Sequence, residues 1–506
     1  MMPQSLLPQS GISIEDRERG LRLLVIEAAF SGGAAALTTG VILTAFALHL
    51  GASNIMIGVL ASAPFLTQLL QLPAILLVER LRTRKRIAVA ASILGRSMLG
   101  LMALAALVGD PVAVWLFLAA QYMLCGAGAI GSCAWNAWLR DLAPEDQLGR
   151  VFARRTLWLT GVSLVLGLAA ALALELTPEH SASRSLVFAC MFAVGCVTGM
   201  ISAQVVARMP EPMMPPETGP LQLRELLRRP LRDRNFSRLL VFIGSWQFAV
   251  NLATPFFTVF IVRQLGFSVS FVMILSVASQ IANLLALRLW GSLSDRHANK
   301  SVLAVCAPVY ILAIVAMIGA SQIGDRTLAA GWLVLLHLLM GASVAGVTLT
   351  STNIALKLSP KGTATAYVAA SAIVTAVAAG VAPLVGGALA DFFARRSLEL
   401  VVRWDSPDRA LNLPLTLTSW DFYFLIAGLL GIYAIHRLSL VQEHGEIDRR
   451  EMVNQVIGET WRGLRNMSSV AGLRAATDLP ASLIRDANLR VRWHRTQRRS
   501  RSHRDA

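Results

Sequence analysis

Charged residues are scarce in this sequence. Of its 506 residues, 15% are Asp, Glu, Lys or Arg and 55% are hydrophobic, and the mean hydropathy is +0.58. This balance is wrong for a soluble globular protein, in which about a quarter of the residues are charged. The composition therefore predicts a chain that lies in a lipid bilayer.

The motifs of catalysis and cofactor binding are also missing. The sequence has no G-x-x-x-x-G-K-[ST] phosphate loop and no convergent Ser, His and Asp set, which argues against an enzyme and against ATP-driven work. The five cysteines fall inside apolar runs without a C-x-x-C pair, and we expect them to pack as small core residues: Cys125, Cys133, Cys190, Cys196 and Cys306. We expect no enzyme activity, no cofactor and no metal site.

Lysine is nearly absent, so arginine carries the net charge of +16. No basic segment is interleaved with aromatic residues, and nucleic acid is therefore not an expected partner. We attribute the positive charge to orientation in the membrane and to anionic lipid headgroups near the basic loops and the tail. Nothing in the composition indicates an oligomer, and we expect a monomer.

Long apolar runs recur along the chain. A bilayer core of about 30 Å requires about 20 helical residues, and twelve runs meet that length: 22–49, 54–78, 87–108, 112–137, 156–176, 185–207, 238–263, 267–290, 301–320, 329–355, 364–390 and 419–436. Residues 1–20 are polar with charges of both signs, unlike a signal peptide. We expect the first run to remain as a membrane helix.

The loops between the runs alternate in charge. Every second loop is basic: 79–86, 138–155, 208–237, 291–300 and 356–363. The other loops are mostly short and carry few arginines, and this asymmetry places both termini in the cytoplasm. The tail is basic as well, and we expect it to be disordered or to contact lipid, with a helix over 455–475. Protein docking is the alternative for the tail.

The chain repeats itself at an offset of 215 to 216 residues. The turn 77–86 matches 290–300, with Glu79 opposite Asp295 and Arg80 opposite Arg296. Residues 50–53 match 265–268 in the same way, and 142–153 match 358–369. Three colinear matches at one period indicate a duplication.

The second copy of the turn resembles the signature of the major facilitator superfamily of transporters. Gly291, Asp295, Arg296 and Lys300 stand at the positions of its G-x-x-x-D-R-x-x-x-K pattern, whereas the first copy has Ile75 in place of the Gly. The segment 141–150 resembles that of bacterial members whose substrate is unassigned. The resemblance covers residues 21–437 and places the chain in a bacterial inner membrane.

That family implies an all-α integral membrane fold with twelve transmembrane helices in two pseudo-symmetric six-helix bundles. The expected division of the chain is an N-terminal segment 1–21, a first bundle 22–207, a linker 208–237, a second bundle 238–436 and a basic tail 437–506. Small residues predict close helix packing, at Gly195, Gly199, Gly380, Pro383, Gly386 and Gly387.

Polar residues within the runs are candidates for solute contact, because they are costly in lipid. In the resembled fold helices 1, 4, 7 and 10 line the cavity, and the candidates on them are Glu27, Gln121, Asn136, Trp246, Gln247, Asn251 and His337. Gln247 and Asn251 share a helix face and are the leading pair. Glu27 could instead serve a gate or a headgroup, His337 could bond between helices, and Arg96 is expected to be a buried structural partner.

The repeated turn is a candidate gate. The resembled fold brings Asp295 beside the start of helix 5, where Arg150, Arg154 and Arg155 follow one another, and a carboxylate there gains charge-assisted bonds. The complete set of gating candidates is Glu79, Arg80, Arg84, Asp141, Arg150, Arg154, Gly291, Asp295, Arg296 and Lys300. The alternative is that Asp295 and Arg296 only anchor a short loop at the headgroups.

The sequence thus favours a secondary transporter that moves a small solute by alternating access, in which two bundles rock about a midplane site, possibly with ion coupling. An alternative from another class is a membrane assembly or accessory protein that has the same fold without transport. The sequence identifies neither the solute nor the direction of movement.

Overall fold

The computed structural model describes residues 8–9, 11–108, 112–142, 148–178, 181–214, 223–360, 364–406, 409–417, 419–443, 451–456 and 458. Twelve helical segments are long and apolar enough to cross a membrane. We number them spans 1 to 12: Ile14–Thr38 with Val41–His49; Asn54–Leu66 with Thr67–Leu70 and Gln71–Leu81; Arg84–Ala105; Val112–Leu142; Leu148–Glu175; Ala182–Ala207; Arg234–Ala253 with Thr254–Phe256, Phe257–Val259 and Phe260–Gln264; Val269–Arg296; Asn299–Ala316 with Ile318–Gln322; Arg326–Lys357; Ala364–Phe393; and Ser419–Ser439.

These spans confirm the predicted fold class and coincide with the twelve apolar runs. Span 1 begins at Ile14, eight residues before the apolar run does. Ser13 caps the helix, because its hydroxyl accepts the N–H of Asp16 at 3.0 Å. Glu15 and Asp16 in the first turn favour the positive helix end, so local polar signals extend the helix beyond its hydrophobic part.

A β-hairpin lies between spans 11 and 12. Strand β1, Leu398–Ser406, pairs antiparallel with strand β2, Arg409–Leu417. Only a loop was expected in this interval, although Leu411, Leu413, Leu415 and Leu417 follow the period-two alternation that is typical of a strand. The hairpin adds ordered backbone at the end of the bundle remote from Ile14.

The structure extends the internal repeat to the last helix of each half. Phe46 packs on Phe188 and Phe192 with ring centroids 5.1 and 5.0 Å away. In the other half Phe260 packs on Trp420 and Phe424, at 6.4 and 5.1 Å. Phe260 lies 214 positions after Phe46, whereas Trp420 and Phe424 lie 232 positions after Phe188 and Phe192. The offset between matching residues is still 216 at residues 153 and 369, so it increases in the interval that holds the hairpin. The hairpin therefore accounts for the extra length of the second half.

The N-terminal half, spans 1 to 6, meets the C-terminal half, spans 7 to 12, mainly through spans 2 and 11. A methyl group at Gly58 would lie 2.2 Å from the carbonyl oxygen of Pro383, and one at Gly387 would lie 2.5 Å from that of Asn54. Only glycine fits such a backbone contact. The predicted close packing at Pro383 and Gly387 is therefore packing between the two halves.

Two further contacts join the halves at the same end. The Arg263 guanidinium donates to the carbonyl oxygen of Ala52 at 3.0 Å, and the Ser270 hydroxyl donates to that of Ala171 at 2.9 Å. We call this the closed end, where His49, Asn54 and Phe393 lie. The termini end is the opposite one, with Leu81, Arg296 and Lys357.

We expect Gly58→Ala to weaken the closed end, because the new methyl group meets backbone that cannot rotate away. Overpacking of this kind costs about 1 to 3 kcal/mol. The measurement is the melting temperature of the purified chain in detergent. Gly161→Ala is the matched control, since a methyl group there meets nothing within 4 Å and alanine favours a helix. Equal melting temperatures for the two variants would contradict a tight contact between Gly58 and the backbone of span 11.

Candidate functional site

A cavity of about 620 Å³ lies between the halves. Spans 2, 7, 9, 10 and 11 line it between the middle of the molecule and the termini end. Its polar lining includes amide and hydroxyl groups, with apolar surface between them: Gln68, Gln71, Gln247, Tyr310, Thr348, Ser351, Thr352, Ser371 and Thr375. No charged side chain is among the described residues of this lining. We call it the main cavity.

Span 7 brings two of the predicted residues to the main cavity, Trp246 and Gln247. Asn251 shares their helix but is not part of the lining. Its amide donates to the backbone oxygen of Gln247 at 2.9 Å and to the side-chain oxygen at 3.2 Å. The predicted pair therefore meets, with Asn251 orienting Gln247.

Span 10 supplies a group that the sequence analysis did not single out. Ser351 lines the main cavity, and its hydroxyl oxygen is buried without a partner among the described residues. Buried hydroxyls normally find a hydrogen-bond partner, and because this oxygen is inaccessible here, the side chain would have to rotate before it could bond to a solute.

Three other predicted residues lie away from the cavities described here. His337 is buried in the C-terminal half, where its Nδ1 lies 2.8 Å from the carbonyl oxygen of Leu333 and its ring faces Phe257. Gln121 is buried on span 4, with its amide 3.2 Å from the sulfur of Cys125. Asn136 is exposed. Span 10, which carries His337, lines the main cavity as predicted, but span 4, which carries Gln121 and Asn136, contributes no residue to its described lining.

Glu27 lies in a second cavity of about 280 Å³ within the N-terminal half, which we call the N-half cavity. Glu27 is 6% exposed. It accepts from the Arg155 guanidinium at 3.3 Å and from the Ser202 hydroxyl at 3.2 Å. The sequence analysis expected Arg155 beside Asp295, whereas the structure pairs it with Glu27, 128 positions away.

Arg96 joins Glu27 in the lining of the N-half cavity. Its stem crosses Gly199 of span 6 so closely that a methyl group there would lie 2.6 Å from the Arg96 Cδ. Its guanidinium donates to the Ser31 hydroxyl at 3.5 Å. A glycine predicted for helix packing thus makes room for a charged side chain.

The two cavities border one another. Gln71 lines the main cavity and Ser132 lines the N-half cavity, and the Gln71 amide donates to the Ser132 hydroxyl at 3.2 Å. The hydrogen bond between Gln71 and Ser132 therefore lies between the main cavity, whose described lining is uncharged, and the charged N-half cavity.

At the termini end a buried glutamate follows the last span of the N-terminal half. Glu211 accepts the backbone N–H of Arg84, the first residue of span 3, at 2.7 Å. The Arg84 side chain is 2% exposed and forms ion pairs with Asp141 and, at 3.7 Å, with Glu211. The sequence analysis named Arg84 and Asp141 as gating candidates but did not find Glu211.

Glu443 occupies the same place in the C-terminal half, 232 positions after Glu211. Its carboxylate accepts the backbone N–H of Lys300 at 2.8 Å and the side-chain amide of Asn299 at 3.0 Å. It also forms an ion pair with Lys357 at 3.0 Å. The cation that pairs with the glutamate is therefore Arg84, at the start of span 3, in the N-terminal half. In the C-terminal half it is Lys357, at the end of span 10.

The surroundings shift the pKa values of Glu211 and Glu443 in opposite directions. Burial raises the pKa of Glu211, and the N–H groups and charges of Arg84 and Lys85 offset this only in part. Burial also raises the pKa of Glu443, but the bonds from Lys300, Asn299 and Lys357 outweigh it, and the net pKa is lowered. Glu443 is therefore the more firmly ionised of the two.

The remaining gating candidates lie at the termini end. Arg80, Arg154, Asp295 and Arg296 are exposed, while Glu79 and Gly291 are half-buried. The ammonium group of Lys300 donates to the carbonyl oxygen of Val441 at 2.5 Å. The side chain of Arg150 lies outside the described residues, as does most of the predicted tail helix 455–475.

The described part of the chain contains no group of three or more His, Cys, Asp or Glu that could hold a metal ion.

A sequence profile of the Major Facilitator Superfamily matches residues 239–477, from span 7 into the tail. The C-terminal half of the chain thus resembles this superfamily. The twelve spans and this match indicate a multi-pass membrane protein, and the match points to a transporter rather than an enzyme. No curated protein gives a significant sequence match.

Solved structures of several transporters have the same fold. The nucleoside transporter NupG is 14% identical with a TM-score of 0.61, covering 84% of this chain and 99% of its own. The inward-open xylose transporter XylE from E. coli is 13% identical, with a TM-score of 0.58 and coverage of 87% and 99%. The E. coli fucose:proton symporter FucP is 15% identical, with a TM-score of 0.52 and coverage of 85% and 100%.

Glu443→Gln is expected to destabilise the protein at neutral pH. Because the pKa of folded Glu443 is below its ordinary value of 4.5, its ionised form stabilises the fold above that value, and the contribution is lost as the pH falls through the lowered pKa. The melting-temperature difference between the wild type and the variant should therefore shrink from pH 7 towards pH 4. Exposed Glu399 provides the control variant Glu399→Gln, and a gap that widens on acidification would contradict the assignment.

Proposed function

We propose that this chain is a secondary transporter that carries a small solute across the inner membrane by alternating access. The observation that supports this most is the main cavity, which lies between two halves whose described contacts are concentrated at one end. A solute in that cavity could leave only after the halves rearrange. The uncharged amides and hydroxyls of the lining suit hydrogen bonding to an uncharged part of the solute.

The orientation follows from the charge of the loops. The termini end carries the basic loops, and the positive-inside rule assigns such loops to the cytoplasm. This structure then corresponds to the state that faces the cytoplasm. The exposed arginines Arg228 and Arg229 of the helix Leu223–Arg232 would contact anionic headgroups on that side.

An outer gate is proposed at Asp391, near the end of span 11. Its carboxylate accepts the side-chain amide of Asn54 at 2.9 Å and the backbone N–H of Ile55 at 3.1 Å. It thus caps span 2 of the other half, and a carboxylate at a helix N-terminus gains about 0.3 to 1 kcal/mol in addition to its hydrogen bonds. These contacts must break before the closed end can open.

An inner gate is proposed at the termini end. Asp295 and Arg154 are exposed there, and closure would bring the end of span 8 towards the start of span 5. A carboxylate beside Arg150 and Arg154 would then gain charge-assisted bonds. The two gates would alternate, since each joins the same two halves.

Solute flux in proteoliposomes tests the proposal. The purified full chain is reconstituted, and uptake of a panel of sugars, nucleosides and organic acids is measured with and without an imposed proton gradient. Uptake above protein-free vesicles supports transport, and its dependence on the gradient tests ion coupling. Absence of uptake for every solute would favour an accessory protein without transport activity.

We expect Asp391→Asn to open the closed end more often. Loss of the charge removes two charge-assisted bonds between the halves, and a coupling of about 1 to 3 kcal/mol shifts populations by about 5 to 150 fold. The measurement is labelling of Gln247→Cys by an impermeant thiol reagent from the side of the closed end, after replacement of the native cysteines. Labelling should become faster by about fivefold or more.

Asp325→Asn is the matched control for the outer gate. Asp325 also caps a helix at the closed end, accepting the N–H of Leu328 at 2.8 Å, but it acts within one half. Its substitution should leave the labelling rate unchanged. Equal acceleration in both variants would show that helix capping, not contact between the halves, controls access.

A further inference from the structure

We propose that the N-half cavity binds an oxyanion group of the transported solute, such as a carboxylate, phosphate or sulfate, and that Glu27 is the resident anion with which it competes. The inference rests on the proposed function and specifies the chemical class of the solute. Its site is Arg96, Arg155 and the hydroxyls around them.

The charges of this cavity do not balance. Among the described residues that line it, the charged ones are Glu27, Arg96 and Arg155, which leaves one positive charge in excess. An arginine at the centre of a span costs roughly 2.5 to 3.5 kcal/mol on insertion scales. An anion that enters the cavity would offset that cost.

The two arginines have hydrogen-bond donors to spare. The Nε of Arg155 is buried and has no partner among the described residues, although its Nη2 bonds to Glu27. Arg96 carries five N–H groups, and its one described hydrogen bond is the long contact to Ser31. Guanidinium groups bind oxyanions through paired N–H groups, so the unused donors fit this class of ligand.

The cavity walls add to the fit. Four hydroxyls line it and can donate to an oxyanion: Ser31, Ser92, Ser132 and Ser202. The space above Gly199 fixes the Arg96 stem, so that little side-chain freedom remains to be lost on binding.

Glu27 would act as the competitor. It already accepts from Arg155 and Ser202, which are the bonds that an incoming oxyanion would make. The Gln71 and Ser132 contact places this exchange beside the main cavity. A solute with an uncharged body in the main cavity could therefore extend its oxyanion into the N-half cavity.

The test is thermal stability of the purified full chain in detergent, titrated with sodium phosphate, sulfate or benzoate against chloride at constant ionic strength. The wild type should show a saturable rise in melting temperature. Glu27→Gln should lower the midpoint concentration by about tenfold, since it removes a competing charge. Arg96→Gln and Arg155→Gln should abolish the rise, while the exposed Arg288 allows Arg288→Gln as a control that preserves it.

Gly199→Ala tests whether anion binding depends on the position of the Arg96 side chain rather than on the stability of the fold. It keeps every charge but pushes on the Arg96 stem, and it should raise the midpoint concentration while the chain without anion still melts cooperatively. The gain expected for Glu27→Gln cannot come from misfolding. The proposal is overturned if no anion gives a saturable effect, or if Arg96→Gln and Arg288→Gln respond alike.

Three further outcomes distinguish a lipid headgroup from a soluble anion, and this inference from the proposed transport function. Stabilisation by phosphatidylglycerol but by none of the soluble anions would assign the site to lipid headgroups and overturn the solute proposal. Anion binding without flux in proteoliposomes would preserve this site while contradicting transport. Flux of an uncharged solute that Arg96→Gln leaves intact, together with no anion effect, would preserve transport and refute this inference.

Discussion

The close approach of span 2 to span 11 is the constraint on which the arrangement of the two halves depends. Gly58 and Gly387 let the two backbones touch, and Asp391 adds charge-assisted bonds at the same end. Packed helices behave as rigid bodies, so two bundles held together at one end must diverge towards the other. The main cavity is the space that this divergence leaves.

The two halves share an arrangement of helices, but their charged residues lie at different positions. Glu211 and Glu443 each accept the backbone N–H groups that open the third helix of their half, although their cationic partners come from different positions. Inside the membrane the difference is larger, because the main cavity is uncharged while the N-half cavity has an excess of arginine. The duplication therefore preserved packing and backbone capping, and the halves diverged in the chemistry that each presents to a solute.

The sequence predicts the spans well because a bilayer dictates their length and polarity, and each can be recognised without its neighbours. The site depends on side-chain directions and on pairs remote in sequence, which no single run contains. Arg155 finds Glu27 across 128 positions, and Asn251 turns back to its own helix. Glu211 and Glu443 could have been found from the sequence only by extending the repeat with its changed offset of 232. The hairpin hides that change, because it inserts extra length before the last span.

The N-half cavity poses an energetic question that packing alone does not answer. Ion pairs removed from water are often no more stabilising than apolar residues of similar volume, so Glu27 and Arg155 gain little by serving only as structural support. Arg96 adds a second cation without a second carboxylate among the described lining residues. A purely structural cluster would be expected to match its charges, because an unmatched charge remains costly in every state of the protein. A binding cluster must instead leave charge unmatched until its ligand arrives, which is the condition that Arg96 and the unpartnered Nε of Arg155 meet.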